Sequence, residues 1–327
     1  MKKHSLFKKF VASAAALTLA FSMVVVAPAS ALAATAKKPA AVKNVKLKRD
    51  GNTIIVKWKK QADSKADGYQ VRYATNKAMK HAKTVTVKKA STNKAALEKL
   101  KTGTTYYVQV RAYKKAGKTL RGAWSKAKKT TVWYVNTGNK KLDKDIEQIL
   151  AAKVKKTGGA GLKKAFDFVV SYVGEDGKTH CRTYLNGGSS AFTGGGEKAY
   201  KKWLARVALQ GVNKVKSGAN EYDKAQCGNC YEVAALFCCL AKGLGYDAKV
   251  ICGKDTPTHG HGWVEIKKDG KTYVCDPNIT WRFLDQPNAK IPTALKAAGY
   301  DLNSCYFMKP YADIPTRYYT KSGAEIA

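Results

Sequence analysis

Apolar and polar residues alternate in three short stretches early in the chain: Ile54, Val56 and Trp58; Tyr69, Val71 and Tyr73; and Tyr106, Val108, Val110 and Ala112. A period of two puts every second side chain on one face, the pattern of half-buried strands. Turn-forming clusters at Asp50-Gly51-Asn52, Asp67-Gly68, Lys101-Thr102-Gly103 and Ala116-Gly117 separate the stretches, and no convincing helical pattern intervenes. Residues 37–133 are therefore expected to form an all-β sandwich.

The period changes after a polar stretch, 134–141, expected to be a linker. Helical spacing appears at Leu142, Ile146, Ile149 and Leu150, at Leu162, Phe166, Val169 and Val170, and at Trp203, Val207 and Leu209. Gly158-Gly159, Gly187-Gly188 and Gly194-Gly195-Gly196 mark loops, and no internal repeat is evident, so 142–327 reads as one α+β domain. At the N-terminus, Lys2, Lys3, Lys8 and Lys9 precede an apolar run from Phe10 to Ala27 and small-residue tracts near Ala31 and Ala33. This is the layout of a secretory signal over 1–33, and it predicts a protein that is secreted or held at the cell surface.

Charge and cysteines refine this picture. The chain of 327 residues carries a formal charge of +37, of which +23 falls within 36–133 and +10 from 134 onward. In an exported protein, such charge points to anionic wall polymers, glycans or a membrane surface as partners rather than nucleic acid, against the plainer reading of a generally basic soluble surface. All eight cysteines lie between Cys181 and Cys305, so the first domain contains no disulfide; pairing in the second is left open by spacing alone.

The candidate chemistry is concentrated between residues 226 and 277. Cys227-Gly228-Asn229-Cys230-Tyr231 leads into an apolar stripe at Val233, Phe237, Leu240, Ala241 and Leu244 that ends at Gly243 and Gly245, which places Cys230 in the first turn of a helix. Unpaired N–H groups and the dipole at that end stabilise a thiolate and can bind a developing oxyanion. Downstream, three strands are predicted: Ala248 to Cys252, His259 to Ile266, and Thr272 to Asp276, the last two joined by Asp269-Gly270. A two-residue Asp-Gly hairpin pairs Val264 with Cys275 and Ile266 with Tyr273. His261 and Asp276 then become diagonal neighbours about 7 Å apart. A carboxylate there can orient an imidazole that takes and returns the thiol proton.

The first domain resembles a fibronectin type III domain in Trp58, Gly68-Tyr69, the run Leu100 to Tyr106 before Val108-Gln109-Val110-Arg111-Ala112, and the closing Gly122-Ala123-Trp124-Ser125. Tyr106 matches its tyrosine corner, while Thr102 stands where that family usually has proline. The resemblance implies a spacer or adhesion module with no chemistry of its own. The second domain resembles the transglutaminase-like superfamily in Gly228-x-Cys230-Tyr231, Leu240, Gly245 to Val250, His261-x-Trp263-Val264-Glu265 and Tyr273-Val274-Cys275-Asp276-Pro277. That resemblance implies a papain-like core with Cys230 as nucleophile, His261 as base and Asp276 as the orienting acid. Papain's own pattern fits less well, because His261 follows Cys230 by only 31 residues.

The expected activity is a cysteine peptidase, amidase or acyltransferase that works through a thioester and needs no metal or organic cofactor. Trp263 is expected to shield the thiolate and imidazole, His259 to be a loop residue, Gln226 to be a weaker oxyanion candidate, and the other seven cysteines to be structural. Two alternatives remain in the residues: Cys227, Cys230, His259 and His261 as zinc ligands, or Cys227-x-x-Cys230 as a redox pair. A third reading is a basic surface adhesin whose cysteine domain is idle.

Overall fold

The computed structural model describes residues 37–62, 65–173, 179–181, 190–216, 229–256, 258–284, 306–314, 318–322 and 325–326. The expected signal sequence lies outside them. The alternating stretches form a sandwich of two antiparallel sheets. One contains Lys46–Asp50 (β1), Thr53–Lys57 (β2) and Lys94–Leu97 (β5) in the order β1-β2-β5. The other orders Lys83–Val87 (β4), Gly68–Ala74 (β3), Thr104–Ala116 (β6) and Lys118–Arg121 (β7), with Lys128–Val132 (β8) also paired to β6. The inward set, including Ile54, Val56, Trp58, Tyr69, Val71, Leu97, Val108 and Val110, forms one buried cluster. At the corner before β6, the Lys101 N–H donates to the Tyr106 hydroxyl at 3.0 Å, the bond that defines a tyrosine corner.

The second domain begins with helix α1, Lys140–Ile149, capped by Asn139, whose side chain accepts from the N–H groups of Lys141 and Leu142. Helices α2 (Gly158–Val170) and α3 (Gly196–Lys216) follow, with a short hairpin of β9 (Ser171–Val173) and β10 (Thr179–Cys181) between them. Helix α4, Cys230–Gly243, then leads to strands β11 (Asp247–Lys254), β12 (Gly260–Lys268) and β13 (Lys271–Cys275), helix α5 (Pro277–Leu284), and strands β14 (Phe307–Lys309), β15 (Tyr318–Tyr319) and β16 (Glu325–Ile326). The antiparallel sheet runs β14-β13-β12-β11-β15-β16. From Val233 to Ala241 every residue of α4 is buried, as expected for a helix enclosed by other helices and a sheet rather than lying on a surface. Its neighbours are α1, α2, α3, α5 and strands β11 and β12.

From Lys38 onward the chain is one compact unit, and the joint between its two halves is specific. Residues 134–141, expected as a linker, are packed: Trp133 and Val135 belong to the second domain's core, and the Thr137 hydroxyl donates to Asp143 at 2.7 Å. Arg49 on β1 pairs with Glu147 on α1 at 2.8 Å. The Thr102 hydroxyl donates to the Gly243 carbonyl at the end of α4 at 2.6 Å and accepts from the Tyr134 N–H at 2.8 Å. Beside it, Gly103 has φ +65°, and a Cβ there would lie 2.0 Å from the Leu244 carbonyl oxygen, so both the backbone conformation and the close approach require glycine.

Candidate active site

Cys230 is the first residue of α4, and its thiol is free and half-buried. Asn229 caps the helix by accepting from the Glu232 N–H at 3.1 Å. The N–H groups of Cys230 and Tyr231, which no turn of helix precedes, remain at the thiol's end of the helix. Tyr231 fixes the orientation of this turn against β12: a Cβ at Gly262 would meet the Tyr231 ring at 2.5 Å, so the ring rests on a bare stretch of strand next to His261.

The hairpin has the predicted register, Val264 opposite Cys275 and Ile266 opposite Tyr273. Asp269 and Gly270 at its turn have φ values of 50° and 75°, the doubly positive pair of a type I′ turn. His261 lies near the start of β12, and Asp276 comes immediately after β13. Both are fully buried, and His261 Nε2 lies 2.7 Å from Asp276 Oδ2. Asp276 also caps α5: its Oδ1 accepts from the Ile279 N–H at 2.9 Å, and Pro277 occupies the first helical position, where a missing N–H costs nothing. The Tyr318 hydroxyl donates to Oδ2 at 2.6 Å. One carboxylate thus starts a helix and orients an imidazole.

These contacts set the charges. Burial alone would lower the affinity of His261 for its proton, but the charge and hydrogen bond of Asp276, together with the nearby Cys230 thiol, raise its pKa to about 10. Burial would raise Asp276, but the His261 charge and the hydrogen bonds from His261, Ile279 and Tyr318 bring it below its ordinary value. The pair therefore reads as imidazolium and carboxylate. The other ring nitrogen, Nδ1, is buried, makes no close hydrogen bond with a described residue, and faces Asp255 Oδ2 at 3.9 Å with the Cys230 thiol nearby. A protonated Nδ1 close to the Cys230 thiol can hold a thiolate's counter-charge and later give its proton to a leaving amine.

Trp263 is fully buried beside this pair, its indole N–H donates to the Tyr311 hydroxyl at 2.7 Å, and its ring centroid lies 4.4 Å from that of Tyr318. With Val274, Ile279 and Tyr306 these residues form a small core that walls off the back of the imidazole. Tyr318 and Asp255 were not reachable by sequence reasoning: Tyr318 comes from a two-residue strand 42 positions after Asp276, and nothing in spacing marks it. His259 is an exposed loop residue, and its Nδ1 bonds Asp255.

Among the described residues, no group of three His, Cys, Asp or Glu side chains could hold a metal ion. Cys238, Cys239 and Cys275 are free and fully buried, and burial raises each thiol, Cys238 to about 11 and Cys275 to about 12. Cys252 is free and half-buried, and its thiol is likewise raised by burial. Gln226, Cys227 and Cys305, and the side chain of Cys181, lie outside the described residues, and with Cys227 so do the zinc and redox alternatives.

Two family models match the chain: fibronectin type III domain over residues 40–128 and transglutaminase-like superfamily over residues 192–285. Comparison with curated proteins gives no match. Among solved structures, the FN1–FN3 domains of chicken CNTN1 are 27% identical with a TM-score of 0.26, covering 29% of this chain and 32% of that one. The fn3 domain of human contactin 1 is 24% identical with a TM-score of 0.26, covering 31% of this chain and 83% of that one. The chain spans about a third of the length of the first of these structures.

Proposed function

We propose that this chain, a fibronectin type III domain followed by a transglutaminase-like domain, is a secreted or cell-surface cysteine enzyme acting on peptide or glutamine-type amides. The observation that carries this reading is the buried His261, bonded to Asp276 at Nε2 and raised in pKa in part by the Cys230 thiol at the start of α4. In the proposed reaction, the Cys230 thiol proton is held on Nδ1 as part of a thiolate–imidazolium pair, and the thiolate adds to the amide carbonyl. The N–H groups opening α4 hold the oxyanion. Collapse breaks the C–N bond, His261 returns the proton to the leaving amine, and a thioester forms on Cys230. Water or an amine then takes the acyl group. The fibronectin type III module and the signal-like N-terminus support an extracellular setting; no helix among the described residues is long and apolar enough to cross a membrane.

The test is to incubate the protein with a glutamine-bearing peptide, quench in acid, and map any acyl adduct by peptide mass spectrometry. The expected result is a thioester on Cys230 that a primary amine or hydroxylamine discharges and that Cys230→Ala lacks. If no adduct forms and iodoacetamide labels Cys230 no faster at neutral pH than in the His261→Ala variant, the enzyme reading is wrong and the idle-domain adhesin takes its place.

A further inference from the structure

The outer face of the β1-β2-β5 sheet has a charge arrangement that folding alone does not account for. Register places Lys46 opposite Lys57, and Lys57 opposite Lys94, so three lysines stand in one row across three strands. Neighbouring strands are about 4.8 Å apart, and like charges directly opposite one another are destabilising. Lys48 lies on the same face two residues along β1, and all four lysines are exposed. None of the four makes an ion pair with a described residue. Lys48, Lys57 and Lys94, together with Asp50, line a groove of ≈ 460 Å³ with Ile55 and Ala96 on its floor, and Lys46 extends the row beside it.

Two arginines of the sandwich's other sheet are placed differently. Arg72 and Arg111 bond to Gln109 and Gln70 and hold Trp124 between them, at 4.3 and 4.2 Å from its ring centroid. Those two arginines have partners within the fold, whereas the lysine row has none among the described residues.

We propose that this face binds a linear phosphodiester-linked polyol polymer. Ammonium groups act on phosphate as mobile point charges, whereas arginine's fork suits planar, bidentate partners. The described groove lining, Lys48, Asp50, Ile55, Lys57, Lys94, Ala95 and Ala96, has no aromatic ring on which a sugar or nucleobase could stack, and its floor offers aliphatic contact to a short carbon spacer. A chain with one negative charge per flexible spacer fits a row of point charges over an apolar floor. Binding would relieve the repulsion within the row and would weaken as salt rises.

The test measures binding of a synthetic poly(glycerol phosphate) to the full chain by biolayer interferometry across salt concentrations. It compares Lys46→Gln/Lys57→Gln/Lys94→Gln with Lys83→Gln/Lys118→Gln/Lys128→Gln, which removes the same charge from exposed positions of the other sheet. The expected result is at least a tenfold loss for the first triple variant, little change for the second, an unchanged affinity for Cys230→Ala, and a melting temperature for the first variant at or above that of the parent. Equal losses in both triples would reduce the effect to bulk charge and overturn the proposal. So would equal affinity for a polyuronate or for oligothymidylate, which would show that phosphodiester spacing and the apolar floor count for nothing.

Discussion

The two ends of α4 are built to opposite purposes. At its start, Cys230 is half-buried, the cap takes the Glu232 N–H, and the strand that faces it carries a buried imidazole whose raised pKa reflects the nearby Cys230 thiol. At its finish, the Gly243 carbonyl is taken by Thr102 from another domain, and Gly103 leaves no room for a side chain. Between the ends, Cys238 and Cys239 share the helix and the functional group of Cys230 but are fully buried, and burial disfavours the thiolate. Place in the fold, rather than residue type, separates a candidate nucleophile from a packing residue. One end is held still by a neighbouring domain while the other is left open to solvent.

The comparison breaks most sharply at the thiols. Cys230→Ala is expected to reduce amide turnover by at least about 10⁴-fold. Because Cys230 is half-exposed, its melting temperature should hardly move. Cys239→Ala should do the reverse, costing about 1 kcal/mol of stability through lost packing while leaving the chemistry intact. Steady-state assays and thermal unfolding on the two variants check both halves, and turnover surviving in Cys230→Ala would end the nucleophile assignment.

Removing Asp276 tests the open end from behind. Asp276→Ala leaves a buried imidazolium uncompensated and uncaps α5, a loss of about 3–5 kcal/mol by denaturant unfolding. Asp276→Asn keeps a good capping side chain and should recover part of that stability while activity stays low. The same pair predicts a pH profile. His261 is raised from an ordinary value of about 6.5 to about 10, so its contribution is complete below about 6.5 and lost as pH rises through about 10. Asp276 is lowered, so its contribution is present above about 3.9 and lost as pH falls toward its folded value. Thermal midpoints should therefore be highest between those limits and fall on the alkaline side, and the alkaline fall should shrink in His261→Ala. A profile unchanged by that variant would mean that His261 is neutral in the folded protein.

Much of this was legible in the chain. Alternation at Tyr69, Val71 and Tyr73 and an Asp-Gly turn at 269–270 are local signals with fixed structural consequences, and the hairpin register followed from them by counting. Cys230 at a helix start was legible because a helical stripe from Val233 to Leu244 follows it and ends at glycines. Tyr318 was not, because a two-residue strand has no period and its role depends on closing the sheet beside β11. Asp255 was hidden in a loop for the same reason. The joint between the domains lay in plain view as an anomaly: Thr102 departs from the proline usual at that corner. Proline has no side-chain hydroxyl to donate to Gly243 or to accept from Tyr134, and Thr102 does both.

That departure supplies the smallest and most specific effect. Thr102→Val keeps the shape of the side chain but leaves the Gly243 carbonyl and the Tyr134 N–H without their partner, a cost of about 1–3 kcal/mol. Because the hydroxyl belongs to the sandwich and the carbonyl to α4, the loss should appear in probes of the second domain, such as protection of the α4 amides from hydrogen exchange. If the closed end steadies the open one, iodoacetamide labelling of Cys230 in Thr102→Val should also change, by a small factor, although the two sites sit at opposite ends of a 14-residue helix. A loss of protection confined to the sandwich, with α4 and Cys230 labelling unaltered, would show the two ends to be energetically independent and return the sandwich to the role of a spacer.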